Sequence, residues 1–182
     1  AKELVDGLSV NGALENLHIG TNSIPAERMK EIIALCQSKP SMKVLCEVPF
    51  KDKTITELDV SGKNLGVEGA LVVSDYLENN RALAKFDISN NNLCAAGAKT
   101  LAEALKDNQI MTKLNVSNND LGKVGPNSWD DADMSGVIAI SNAIPTMGAL
   151  VKLIMGANCL TGEGAGKALG DAIATNTVLK EL

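Results

Sequence analysis

Few side chains in this sequence are of the kind that do chemistry. There is one histidine, His18, and no serine or cysteine nucleophile stands at a recognisable spacing from it, so the residues do not spell a catalytic triad. The four cysteines, Cys36, Cys46, Cys94 and Cys159, form no CxxC or CxxxC pair. That spacing argues against a zinc site or a disulfide framework and for reduced, mostly buried thiols in a cytoplasmic or otherwise intracellular protein. Asp130, Asp131 and Asp133 offer oxygen ligands for a hard cation, but they lack the D-x-[DN]-x-[DN]-G order and later Glu of an EF-hand. No metal is expected there. Two glycine-rich runs, "GVEGA" and "TGEGAGKALG", resemble nucleotide loops only in composition. In the second, Gly162 is followed by Lys167 and then Ala168, which breaks GxxxxGK[ST]. The methionines fall mostly at core positions and call for no cofactor. The expectation is a chain that is not an enzyme and carries no cofactor.

Composition narrows the partners. Of 182 residues, 45% are hydrophobic, which opposes disorder, yet only 2% are aromatic: Phe50, Phe86, Tyr76 and Trp129. A core of Leu, Ile, Val and Ala suits thin layers that stack. The net charge is −5 with no run of Lys or Arg, which makes nucleic acid and anionic membrane poor partners. No apolar stretch approaches the roughly 20 residues that span a bilayer. No signal peptide is visible, although the chain also lacks an initiator Met.

The elements that must position these residues recur. "LENLHIGTNSI" from Leu14, "ITELDVSGKNL" from Ile55, "LAKFDISNNNL" from Leu83, "MTKLNVSNNDL" from Met111 and "LVKLIMGANCL" from Leu150 all follow LxxLxLxxNxL. The Asn is Asn22, Asn91, Asn119 or Asn158; in the copy from Ile55 the position holds Lys63, with Asn64 one place later. The interval from Ile55 to Leu83 recurs from Leu83 to Met111, and again from Leu14 to Met42, where "MKVL" opens another unit. The step from Met42 to Ile55 is less than half of that interval, too short for a strand, a loop and a helix. The step from Met111 to Leu150 is longer than the interval, and the surplus lies in "KVGPNSWDDAD", Lys123 to Asp133.

Each unit carries two periods. In "ELDV" and "KFDI" alternate side chains point to opposite sheet faces, so Leu58, Val60, Phe86 and Ile88 face inward and Glu57, Asp59, Lys85 and Asp87 outward. Past the strand the apolar spacing becomes helical, as at Leu101, Ala104 and Leu105. The strand-end Asn residues (Asn22, Asn91, Asn119, Asn158) are placed to pair with backbone groups that a turn leaves unsatisfied, and stacked copies would form a ladder. Gly69, Gly97, Gly136 and Gly164 fall near the helix starts, where small size lets neighbouring helices approach. Asn11, Asn80, Asn108 and Asn176 follow the helices, where a left-handed terminating residue is common.

"LDVSGKNLGVEGALVVSDYLENN" and "FDISNNNLCAAGAKTLAEALKDN" resemble the long leucine-rich repeats of the ribonuclease-inhibitor type. The same repeat occurs in NOD-like receptor arrays, in Ran GTPase-activating protein and in the tropomodulin tail. The resemblance covers nearly the whole chain, apart from 46–54 and the insert. It implies an α/β leucine-rich repeat solenoid, a horseshoe with a concave parallel β-sheet and convex α-helices. Residues 1–182 then form one domain: a partial repeat 1–13, units 14–41, 42–54 (truncated), 55–82, 83–110, 111–149 (with the insert) and 150–178, and a partial repeat 179–182. Neither end has the polar cap a solenoid needs, so a slice of a longer array is expected, or a partner covering the ends.

On such a fold the outward strand positions build the concave face. One row reads Asn16, Val44, Glu57, Lys85, Lys113, Lys152 and the next His18, Cys46, Asp59, Asp87, Asn115, Ile154. With parallel neighbours about 4.8 Å apart, Lys85, Lys113 and Lys152 make a basic stripe beside Asp59 and Asp87. That suits docking of a protein with an acidic segment; the competing reading is a solvated face whose charges pair with one another. In the insert Trp129, with Asp130 and Asp131, offers an interface anchor, or else folds back and fills space. The expected function is a non-catalytic protein–protein interaction scaffold, with no nucleic acid and no membrane insertion. Two alternatives are a regulator of a small GTPase, as the resemblance allows, and a structural subunit that stacks through uncapped ends. The first wants an Arg at the nucleotide, and the two present, Arg28 and Arg81, fall off the strand face.

Overall fold

Short strands alternate with helices along the chain in this computed structural model, which describes residues 2–125 and 132–182. The order is α1 (Lys2–Val10), β1 (Asn16–Leu17), α2 (Ala26–Ser38), β2 (Val44–Leu45), β3 (Glu57–Asp59), α3 (Gly66–Asn79), β4 (Lys85–Asp87), α4 (Cys94–Leu105), β5 (Lys113–Asn115), α5 (Ser135–Ala143), β6 (Lys152–Ile154) and α6 (Glu163–Thr175). A 3₁₀ turn, Ile144–Thr146, extends α5. Every strand pair is parallel. β3, β4, β5 and β6 lie side by side in sequence order, with Leu58, Phe86, Leu114 and Leu153 directly opposite one another. Helices pack in the same order, α3 on α4, α4 on α5, α5 on α6.

The inward strand positions and the helix stripe share one core. Phe86, Ile88, Leu93, Leu101 and Leu105 of one unit are buried in the same cluster as Leu114, Val116, Leu121, Val137 and Ile140 of the next. Each such side chain contributes roughly 1.5–3 kcal/mol when fully removed from water.

Strand leads to helix through a loop that alternates in handedness. Asn90 (φ 59°), Asn92 (φ 55°) and Cys94 (φ 55°) are left-handed, as are Gly62, Asn64 and Gly66 one unit earlier. Asparagine tolerates that region better than most residues with a Cβ. So "SNNNL" divides its asparagines: Asn90 and Asn92 turn the chain, while Asn91 between them is buried.

Three expectations are corrected. The horseshoe with one continuous sheet is not what the structure shows: the described strands form an α/β arrangement of two parallel sheets, β1–β2 and β3–β6. Asn16 pairs with Val44 as the repeat spacing requires, but Val44 has no pairing with Glu57. After β2 the chain reverses at Cys46 (φ 47°) and Glu47 (φ 62°), and Leu45 and Val48 exchange both backbone hydrogen bonds at 3.0 Å. Two successive left-handed residues are the signature of a type I′ hairpin turn. The return segment closes the edge that β3 would otherwise have used. The same turn buries Cys46, which therefore leaves the outward row assigned to it.

The third correction concerns the asparagines after the helices. Asn80 (φ −99°) and Asn176 (φ −81°) are extended, and Asp107 rather than Asn108 is left-handed. Their work is done by the side chain. In Asn11, Asn80, Asn108 and Asn176 the Oδ1 accepts the N–H groups two and three residues on, at 2.7–2.9 Å. Each such Asx turn stops the helix and launches the next strand from a fixed point.

Candidate functional site

The solvent-facing side of β3–β6 gathers the charged residues of the repeat. Register places Glu57, Lys85, Lys113 and Lys152 in one row and Asp59, Asp87, Asn115 and Ile154 in the next. The pairing continues to Glu181, which bridges to Lys152 in parallel. Two of the three lysines are neutralised on the spot. Lys85 Nζ lies 2.7 Å from Glu57 Oε1, and Lys152 pairs with Glu181. Lys113, between them and half-buried, makes no ion pair among the described residues. Hydrogen bonds from Ser61 hold the Asp59 carboxyl below the usual range, and the Lys152 ammonium does the same for Glu181; Lys113 adds a smaller pull on both.

The second row is anchored to its own backbone. Asp87 Oδ1 accepts from the Ser89 N–H (3.0 Å) and hydroxyl (2.7 Å), and its Oδ2 accepts from Asn115 Nδ2 (2.8 Å). Asn115 Oδ1 takes the same two bonds from Ser117, and Asp59 Oδ1 takes the Ser61 N–H at 2.9 Å. The signal for this is the Asp/Asn-x-Ser spacing in "DVS", "DIS" and "NVS". Glu57, Leu58, Asp59, Lys85, Phe86, Asp87 and Lys113 line a recess of about 240 Å³. Glu57, Asp59, Asp87 and Glu181 outnumber the three lysines, so the face presents interleaved charge rather than a positive stripe.

Behind the face the strand-end asparagines run as a buried chain. Asn91 N–H donates to Asn119 Oδ1 and Asn119 N–H to Asn158 Oδ1, both at 2.8 Å. Each Nδ2 donates to carbonyls of its own strand end and of the preceding unit, as Asn119 does to Val116 and Ile88. Asn91 Oδ1 reaches the N–H of Lys63 at 2.9 Å. Asn22 stands apart: it is exposed and its Nδ2 donates to Gly20 O at 3.0 Å. The N–H groups of Thr21, Asn22 and Ile24 go instead to the carboxylate of Glu68, at 3.2, 3.1 and 2.7 Å. Glu68 is 3% exposed. It supplies acceptors at the one junction where Lys63 stands in place of an asparagine, a role that only the glutamate inside "GVEGA" hints at.

The remaining residues singled out above lie elsewhere. His18 Nδ1 is 3.6 Å from Glu47 Oε1 on the β1–β2 side. Burial pushes the Cys46 and Cys94 thiols up to about 11, so both hold their protons at neutral pH. Asp133 Oδ1 accepts the Ser135 N–H at 3.0 Å at the start of α5. An antiparallel bridge between Lys123 and Ala132 closes the base of the insert. Trp129, Asp130 and Asp131 lie outside the described residues. Among the described residues no group of three His, Cys, Asp or Glu side chains is placed to hold a metal ion. No helix among them is long and apolar enough to cross a membrane.

No family model matches the chain. No curated protein matches it either. Among solved structures the chain is similar to leiomodin-1 actin-binding site 2, with 12% identity, 96% of this chain and 87% of that chain covered, and a TM-score of 0.48. It is also similar to the tropomodulin C-terminal domain of Caenorhabditis elegans, with 12% identity, 96% and 92% covered, and a TM-score of 0.46. These are structures of the tropomodulin and leiomodin kind, and the ribonuclease-inhibitor-type resemblance drawn from the repeats is corrected accordingly.

Proposed function

We propose that this chain is a non-catalytic protein-interaction module that binds through the solvent face of β3–β6. The observation that carries the reading is the register. It holds Glu57, Lys85, Lys113 and Lys152 directly opposite one another on a packed sheet, with Lys113 outside any ion pair among the described residues. A rigid face with interleaved charge selects partners by pattern, since a matching partner gains at several points and a mismatched one meets like charge. Arg28 is engaged with Glu31 at 2.6 Å on α2, and no observation favours regulation of a GTPase.

The test is selection of peptides from a displayed random library on the immobilised chain, followed by affinity measurements on Lys113→Glu. Peptides that use the face lose about tenfold or more in affinity, equivalent to roughly 1.4 kcal/mol, while the circular dichroism spectrum is unchanged. Peptides that bind both proteins equally would move the site off the sheet. The leiomodin domain is named as an actin-binding site; at this level of likeness that supplies a probe, actin, and not a partner.

A further inference from the structure

The sheet that carries this face also has an open edge inside the molecule. Along a parallel strand, alternate residues direct their N–H and C=O to opposite neighbours. Thr56 O accepts from Ala84 and Lys85, and Val60 N–H donates to Asp87 O, so the even-numbered residues of β3 serve β4. Glu57 and Asp59 therefore aim their backbone groups away from β4, toward β2. β2 does not receive them, because its outer side is taken by Val48. Among the described residues nothing hydrogen-bonds to the backbone N–H or C=O of Glu57 or Asp59.

Burial marks the same gap from the core side. Phe86, Leu114 and Leu153 are at most 2% exposed, yet their counterpart Leu58 is only half-buried. Ile55 is likewise half-buried where Leu83, Met111 and Leu150 are buried. Above the gap stand the exposed carboxylates of Glu57 and Asp59. Glu57 Oε1 holds Lys85 and the Asp59 carboxylate holds Ser61, while Glu57 Oε2 makes no hydrogen bond among the described residues.

We propose that the β3 edge accepts an extended segment of a partner protein as an added strand, and that the segment reads basic–apolar–basic. Backbone bonds at Glu57 and Asp59 supply the pairing. The period of two places one apolar side chain beside Leu58 and two cations beside Glu57 and Asp59. This deepens the interaction-module reading and rests on it, but it uses the edge rather than the Lys113 face.

The experiment titrates a fluorescein-labelled, acetylated and amidated peptide of alternating Lys and Val into the intact chain. Two partner peptides carry N-methyl groups on every Lys amide or on every Val amide. Saturable binding of the parent is expected, with one N-methylated peptide retaining it and the other losing at least about tenfold, because only one set of amides faces the edge. Glu57→Gln combined with Asp59→Asn is expected to weaken the parent about tenfold. Hydrogen exchange of the Glu57 and Asp59 amides slows when the peptide is bound. The proposal is overturned if both N-methylated peptides bind like the parent, which is attraction by charge alone, or if the parent does not bind. It is also overturned if those amides are already slow in the free chain, or slow only as protein concentration rises, which would assign the edge to a second copy. Failure here with a positive Lys113→Glu result removes the edge site and leaves the module reading standing.

Discussion

Every polar group of the Asn119 side chain is engaged with backbone, and the residue is fully buried. Truncation to alanine strands the Asn91 N–H away from water and removes one of the two asparagine donors from each of the Ile88 and Val116 carbonyls, which keep Asn91 and Asn158. Asn119→Ala is therefore expected to lower unfolding stability by ~2–4 kcal/mol in urea titration. Asn22→Ala, at the same repeat position but exposed, is expected to change it by under ~0.5 kcal/mol. Equal losses at the two sites would mean that the buried chain of asparagines adds nothing beyond loop geometry. The position of these residues is legible in the sequence from spacing alone. Their bonding partners are not, because each partner lies a whole unit away. Nor is the exchange of asparagine for Glu68, which appears only as an acid shortly after a lysine.

Helix spacing sets a different test. A Cβ on Gly136 would meet Leu121 O at 2.5 Å, Ala95 Cα at 2.7 Å and Ala98 Cβ at 2.9 Å, two of them on the neighbouring α4. A Cβ on Gly164 would meet nothing within 4 Å. Gly136→Ala is expected to cost about 1–3 kcal/mol by overpacking, and Gly164→Ala to stabilise by up to about 1 kcal/mol through helix propensity. Thermal melts of the two variants should move in opposite directions; a shared sign would separate glycine placement from helix contact. The sequence puts both glycines on one grid, and what distinguishes them is whether a helix lies alongside. The split sheet was equally hidden. "MKVL" reads as another strand, and the turn that diverts it uses Cys46 and Glu47, neither of which advertises a left-handed backbone.

For the whole molecule, the break between sheets divides the packing. α3–α4 and α4–α5 meet extensively, whereas α1–α2 and α2–α3 meet less. Across that thinner junction the Glu68 carboxylate holds the loop of the first unit. Glu68→Ala is expected to speed amide exchange at residues 20–24 and through α1 and β1 at least several-fold while leaving β4–β6 unchanged. A uniform change over the chain would show instead that the molecule opens as one unit. The α/β class follows from the alternation of strand and helix periods at the constant interval between "ITEL", "LAKF" and "MTKL". How tightly each unit grips the next depends on side chains a full turn of the array apart, which periodicity does not encode.

The antiparallel bridge from Lys123 to Ala132 pinches the insert shut at its base, and Lys113 still faces Lys152 although the whole insert lies between them in the chain. Length added at that point is thus bypassed by the sheet. A foreign epitope or a small folded domain grafted between Lys123 and Ala132 would hang from the scaffold without resetting the alignment of any strand, which makes this loop the natural splice point for building new specificities into the chain.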